Sequence, residues 1–386
     1  MKWTEYPPDV LPAWVAEMDF SLPGPVKDAV RAALDRGDCG YPNAVGLGEA
    51  YAAFTRPRFG WEPAPGQVFA IPDVMTGVAE VLQEITPHGS AVVINPPVYP
   101  PFSFRLEMAG HRIETAPLRR DEAGRYHLDL AVVDAALARD GVAAYLLCSP
   151  HNPAGRVWSR DDLAGVAEVC ARRGVALLVD EIHAPLALPG AQHIPFLSLD
   201  LPTDLARRTF TFTSASKGWN IPGLKCGVAV TGTAEAAAVL ALRWEGLLAS
   251  HLGVLATEAA FRDGADWLNA ALAQLDENRT LLGTLLAQHL PTVGYRPPEA
   301  SFLAWLDCRA LGFADPAARF LEAGRIAVTS GSEFGAGGEG FVRLNIGTSP
   351  ELVTEMVHRL ARAAGPDGPI SADDAQGVLF KTRDEL

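Results

Sequence analysis

Long apolar runs are missing from these 386 residues: no span has the length needed to cross a bilayer, and Met1-Lys2-Trp3-Thr4-Glu5 is not the apolar start of a secretory signal. A cytoplasmic location is therefore expected, and the closing Arg383-Asp384-Glu385-Leu386 reads as an accidental likeness to an ER-retention ending. Cysteine is scarce. Cys39, Cys148, Cys170, Cys226 and Cys308 are odd in number, scattered and without a C-x-x-C pair, which argues for reduced thiols over disulfides or a zinc site. His151 and His183 lie near cysteines in sequence but not at zinc-ligand spacing, so no metal is expected. Positive charge is also short, with 32 Lys and Arg against 46 Asp and Glu, a net charge of −14. That balance argues against nucleic acid or an anionic membrane as the main partner, while leaving room for a basic pocket that holds a small anion. Repeats and low-complexity blocks are absent.

What is present is an ordinary globular composition, 48% hydrophobic and 20% charged, in a chain long enough for a large α/β domain and a smaller companion. Residues 1–25 are rich in proline and aromatics and suit an extended arm. Pro25 then opens a helical pattern that stops near Gly37, and a second runs from about Gly46 to Phe59. From Val68 to Thr231 short apolar runs alternate with amphipathic stretches. The runs Val68–Ile71, Ala91–Ile94, His111–Thr115, Ala144–Leu147, Ala176–Val179, Thr209–Thr213 and Cys226–Val230 read as strands. Gly77–Thr86, Leu128–Ala138 and Arg160–Arg173 read as helices between them. Such alternation predicts a mainly parallel sheet between helices, with ligands at the carboxyl ends of its strands. Thr233–Leu248, Gly253–Asp263 and Asp266–Leu290 read as long helices. Strands near Phe302–Asp307 and Phe341–Ile346 and a helix at Pro350–Ala364 make a smaller α/β unit. The expected division is an arm and joining helix over 1–40, a large domain over 41–264, a small one over 265–364 and a polar tail over 365–386.

Polar clusters fall where those strands end. Thr209–Thr213 runs into Ser214-Ala215-Ser216-Lys217, which sets two hydroxyls beside one long amine. A lysine amine forms a Schiff base with a carbonyl cofactor, and pyridoxal phosphate (PLP) carries both a carbonyl and a phosphate. Ala176–Val179 ends in Asp180, a carboxylate able to keep the ring nitrogen of PLP protonated; a strand-end aspartate also caps turns. Asn152, in Ser149-Pro150-His151-Asn152-Pro153-Ala154-Gly155, is placed to donate to the cofactor's phenolic oxygen, although Asn-Pro is also an ordinary turn dipeptide. The strand-to-helix segment around Met75 and Thr76 offers backbone N–H groups to a phosphate, with Ser214 and Ser216 completing the cradle. Tyr99, on the proline-stiffened loop 95–102, presents a ring that can stack on a pyridine or sit half-buried in the loop. Arg343 stands inside the apolar run Phe341–Ile346. A substrate carboxylate would be its partner if the strand is interior, and solvent if the strand lies at an edge.

Taken together, Asn152-Pro153-x-Gly155, Asp180-Glu181-x-His183, Ser214-x-Ser216-Lys217 and Arg343 resemble the aspartate-aminotransferase-like (class I/II) PLP enzymes over nearly the whole chain to about Ala364. Trp14-Val15-Ala16-Glu17-Met18-Asp19-Phe20, Pro150-His151-Asn152-Pro153 and Asp180-Glu181-Ile182-His183 narrow the likeness to the cystathionine β-lyase branch, the C–S lyases related to the maltose-regulon modulator. The resemblance implies that Lys217 bonds PLP and later moves the Cα proton, that Asp180 pairs with the pyridinium, and that Tyr99 stacks on the ring. It implies that Asn152 and His183 contact the cofactor and that Ser214, Ser216 and the Met75–Thr76 amides hold the phosphate. Arg343, together with Asn152, would take the substrate carboxylate. Tyr41 would reach the phosphate of a neighbouring subunit, which makes a homodimer with shared sites.

The chain departs from the family pattern at three points. Glu17 stands where relatives often have aspartate, Lys225 replaces an arginine and so keeps the charge but loses the fork, and Ala184-Pro185 follows His183 where an aspartate is more usual. The expected reaction is β-elimination from cystathionine or a related S-substituted cysteine, giving thiol, pyruvate and ammonia. An aminotransferase using the same residues is the nearest rival, and a regulatory PLP-binding protein of the same fold is the other. Gly335-Ala336-Gly337-Gly338-Glu339-Gly340 matches G-x-G-x-x-G, but a strand pattern follows it, whereas nucleotide binding requires a helix.

Overall fold

Seven of the apolar runs pair into one sheet, in a computed structural model that describes residues 1–365. The tail beyond, expected to be polar, lies outside the described residues. The strand order is Val68–Ile71, Gly227–Thr231, Thr209–Thr213, Ala176–Asp180, Val142–Cys148, Ala91–Ile94 and Arg112–Thr115. The last five are parallel; Gly227–Thr231 runs antiparallel to both its neighbours, which makes the sheet mixed.

Alternation of side chains across the pleat gives the sheet two apolar faces. Val93, Tyr145, Leu147, Leu177 and Val179 face one core, covered by Leu130–Leu137 and Arg160–Arg173. Val92, Ile94, Leu146, Leu178 and Phe212 face the other, covered by Val74–Ile85 and Pro101–Met108. Burial of both faces is why the inner strands Ala91–Ile94, Val142–Cys148 and Ala176–Asp180 read as continuous apolar runs.

Local chemistry sets the helix ends. Ser159 and Asp162 form a reciprocal capping box at the start of Arg160–Arg173, and Gly174, at φ +68°, stops that helix in the left-handed conformation. The helix expected from Gly77 begins at Val74, because the Asp73 carboxylate accepts the Thr76 N–H at 2.9 Å and thereby caps a turn that begins earlier. Two short helices, Pro101–Met108 and Pro316–Gly324, carry too few turns to show a period in the sequence.

The second sheet is antiparallel, in the order Gly294–Tyr295, Leu303–Asp307, Phe341–Asn345 and Thr329–Ser330. Arg343 therefore sits on an interior strand, opposite Trp305 on one side and Thr329 on the other. Helices Ala265–His289 and Pro350–Ala364 close a separate core, with Leu282, Leu286, Leu352 and Met356 inside it. The glycine-rich 335–340 segment is a tight turn into the Arg343 strand. A side chain on Gly338 would stand 2.0 Å from the Gly331 carbonyl oxygen.

The N-terminal arm belongs to both units. Leu11–Pro12 adds a parallel pairing with Ile326–Ala327, and a buried Lys2–Asp19 ion pair of 2.7 Å fixes its start to its end. Met18 and Asn220 exchange two hydrogen bonds, at 2.8 and 2.7 Å, so the arm crosses from the small sheet to the segment that follows Lys217. Among the described residues no helix is long and apolar enough to cross a membrane.

Candidate active site

Register brings the site together. Cys148 lies opposite Asp180, and Asp180 opposite Phe212, so three parallel strands end level with one another. The turn carrying Asn152, the carboxylate of Asp180 and the one-turn helix Ala215–Gly218 carrying Lys217 consequently open on one side of the sheet. They border a cavity of about 570 Å³ that is also lined by Tyr99, His183 and Arg343.

Burial shifts the protonation of Asp180, Lys217 and His183. Asp180 is 3% exposed and its carboxylate accepts the Ile182 N–H at 3.0 Å. Burial, set against that hydrogen bond, pushes its carboxyl up to about 7. The Lys217 amine donates to the Ala16 carbonyl oxygen at 2.9 Å. Burial, followed by the charge of Arg343, brings the amine down to about 8. His183 is buried, its Nδ1 has no partner, and burial with the nearby Lys217 and Arg343 charges brings it down to about 3, which leaves the ring neutral at physiological pH.

Arg343 is a buried cation facing the cavity. Its guanidinium is 7% exposed, donates to Asn152 Oδ1 at 3.2 Å and to the Trp14 carbonyl oxygen at 3.1 Å, and lies 5.0 Å from the Phe334 ring centre. Burial lowers it to about 10, so it stays charged at neutral pH, and its Nε is buried without an acceptor. No carboxylate of the described residues bridges to it within 4.0 Å. A buried cation without a counter-ion is costly, and a carboxylate entering the cavity would relieve that cost.

The Asn152 turn is held from outside. Gly155 has φ +62°, and a Cβ there would stand 2.4 Å from Cβ of Pro298. Its carbonyl accepts the N–H groups of Glu299 and Ala300, while the Glu299 carboxylate bonds Arg156 at 2.6 Å. The turn that carries Asn152 is thus fastened to the small unit.

Met75, Ser216 and Lys225 also line the cavity, at its helix-start end. Lys225 is paired with Asp73 at 2.7 Å. Three expected residues are not brought to the cavity wall. Thr76 donates its N–H to Asp73; Ser214 is 3% exposed, with its hydroxyl donating to the Cys226 carbonyl at 2.7 Å and accepting the Ser216 N–H; Tyr41 is 89% exposed. Ser214 therefore acts as the cap that aims the lysine turn. Other lining residues, Trp14, Ala16, Arg105, Thr329, Glu333 and Phe334, carried no motif of their own except the arm residues, whose role in the sequence was unreadable.

PLP fits these residues. A buried carboxylate pushed up to about 7 would regain its charge beside a ring N–H⁺, and an amine down at about 8 is available as a nucleophile near neutrality. The start of helix Val74–Ile85, Ser216 and Lys225 meet at one end of the cavity, where an entering phosphate would compete with the Asp73 carboxylate for Lys225.

Comparison with known proteins gives the same family throughout. The model of the family "Aminotransferase class I and II" matches residues 19–360. A Mycobacterium tuberculosis protein named "Putative cystathionine beta-lyase" is 46% identical over 94% of both chains, and the cystathionine β-lyase PatB of Bacillus subtilis is 35% identical over 92% of both. Among solved structures, a PLP-bound C–S lyase from Staphylococcus hominis superposes with a TM-score of 0.88 at 26% identity, covering 95% of this chain and 96% of that one.

Proposed function

The chain belongs to the aminotransferase class I and II family, and from that premise we propose that it is a cytoplasmic, PLP-dependent carbon–sulfur β-lyase that releases thiol, pyruvate and ammonia from cystathionine or a related S-substituted L-cysteine. The observation that carries this reading is the meeting of Lys217, Asp180 and an unpaired, buried Arg343 in one cavity, in a chain 46% and 35% identical to proteins bearing the cystathionine β-lyase name.

When bound, PLP supplies a carbonyl carbon that bonds an amine and a ring that accepts the electron pair left at a deprotonated carbon. The protein does the rest. Arg343 grips the substrate α-carboxylate with its fork, held in plane by Asn152 and by the Trp14 carbonyl. Lys217 Nζ, at about 8, takes the proton from the substrate Cα and can return one to the departing sulfur. Asp180 would hold a proton on the ring nitrogen, and Ser216, Lys225 and the Met75 amide would hold the phosphate. Tyr99 and His183 would flank the ring, and neutral His183 adds no charge against it.

Tyr41 and Val45, 89% and 88% exposed on the loop before helix Leu47–Phe59, support a homodimer in which Tyr41 reaches a neighbouring subunit's phosphate. The aminotransferase reading is kept because a Mycobacterium tuberculosis protein bearing the name of an N-succinyldiaminopimelate aminotransferase is 29% identical over 75% of this chain. One assay separates the two. Holoenzyme incubated with L-cystathionine and no keto acid is expected to release pyruvate and free thiol; turnover that appears only when a keto acid is added would establish the aminotransferase instead.

A further inference from the structure

The charged side chains lining the cavity sort into groups with and without partners. Asp73 and Lys225 neutralise each other at 2.7 Å. Asp180, Lys217 and Arg343 have roles in the reading above. Arg105, on helix Pro101–Met108, and Glu333, on the turn Gly331–Phe334, are left over. Neither makes an ion pair or side-chain hydrogen bond with any described residue, and although opposite in charge they do not bridge to each other within 4.0 Å. Both are exposed, whereas Arg343 is 7% exposed, so they stand at the mouth and Arg343 at the inner end. Arg105 is close enough to Tyr99, and Glu333 to Arg343, for their charges to act on those groups. The same lining includes the apolar Pro100, Pro101, Phe334 and Val15.

We propose that Arg105 and Glu333 form a distal subsite for a zwitterion, with Arg105 taking the carboxylate and Glu333 the ammonium at the far end of the substrate's sulfur-bound side chain. This rests on the lyase reading and gives it a substrate class: S-substituted cysteines whose leaving thiol is itself an amino acid. The two rim charges do not bridge each other within 4.0 Å, so both are free to meet a ligand that carries both signs. The apolar walls suit the methylene and sulfur atoms between the two polar ends. A cysteine with a short alkyl substituent would fill the inner anchor and leave the rim untouched.

The test compares L-cystathionine with S-ethyl-L-cysteine on the holoenzyme and on Arg105→Ala and Glu333→Gln. Dissociation constants are read from the visible absorption of the bound cofactor on rapid mixing, and kcat and KM from pyruvate release. Each variant is expected to weaken cystathionine binding and raise its KM about tenfold, the size of one charge-assisted hydrogen bond, with kcat held within about twofold. S-ethyl-L-cysteine is expected to change by less than about twofold in both measures. Equal losses for both substrates, or no loss for cystathionine, would overturn the subsite. Wild-type holoenzyme that binds cystathionine in a manner sensitive to Arg105 and Glu333, yet releases no pyruvate, would keep the subsite and remove the lyase reading.

Discussion

The Lys217 amine donates to the carbonyl oxygen of Ala16, 201 residues earlier in the chain, at 2.9 Å. The N-terminal arm therefore forms part of the cavity wall, and the same stretch supplies the Trp14 carbonyl to Arg343. One short stretch of backbone, Trp14 to Ala16, touches both the Lys217 amine and the Arg343 guanidinium. Replacing Lys217 by Ala removes the amine proposed to carry the proton while leaving the arm, and is expected to lower kcat by about 10³-fold or more with the fold intact. Pyruvate release together with circular dichroism checks this, and near-normal release would rule out Lys217 as the base.

Arg343→Lys keeps a charge but loses the planar fork that meets Asn152 and Trp14 at once. The expected result is a kcat/KM lower by about 10²-fold, mostly through KM, with cofactor content unchanged. Equal kinetics for the two proteins would place the substrate carboxylate elsewhere.

Asp180 titrates in a direction that reaches stability. Its folded pKa, about 7, is raised above the ordinary 3.8 by burial, so the cofactor-free protein gains stability from this group at low pH and loses it as pH rises from about 4 through 7. Asp180→Asn is expected to raise the Tm of the cofactor-free protein at pH 8 by an amount equivalent to about 1–3 kcal/mol, and to change it little at pH 4. The same substitution is expected to weaken retention of PLP. Melting curves at the two pH values decide the point; a gain independent of pH would contradict it.

The arm's attachment is testable at Asn220, whose amide both donates to and accepts from Met18. Asn220→Asp keeps the acceptor and the left-handed φ of +57° but loses the donor. A cost of about 1 kcal/mol in stability is expected, with a fall in kcat/KM larger than that stability loss explains, because Ala16 would no longer be held against Lys217. Urea unfolding and steady-state kinetics on one preparation measure both.

Gly155→Ala would place a Cβ at φ +62° and 2.4 Å from Pro298. The turn must shift, at an expected cost of about 2–4 kcal/mol. Since that turn carries Asn152, weaker substrate binding should accompany the lower Tm.

Much of the large sheet was legible in the sequence because its inner strands are buried on both faces. Ala91–Ile94 and Thr209–Thr213 have the bounds their composition suggests, and helix Arg160–Arg173 is bracketed by Ser159 and Gly174. Asn152, Asp180 and Lys217 could be singled out because each follows such a run. The small sheet was less legible: Thr329–Ser330 and Gly294–Tyr295 are pairs of residues with no period to read, formed only because longer strands lie beside them.

What the sequence determined by itself was the order of strand and helix and the polar residue that ends each strand, since both follow from local burial and capping. Which of those ends lie level was decided by register, as was the pairing of Arg343 with Trp305 and Thr329. The arm and the rim were likewise left to tertiary structure. Residues 13–19 belong to no helix or strand that a sequence period could announce, and Arg105 and Glu333 belong to short elements more than two hundred residues apart. Their common cavity exists only once the two sheets are packed, because a binding surface is a relation between faces and no single stretch of chain encodes it.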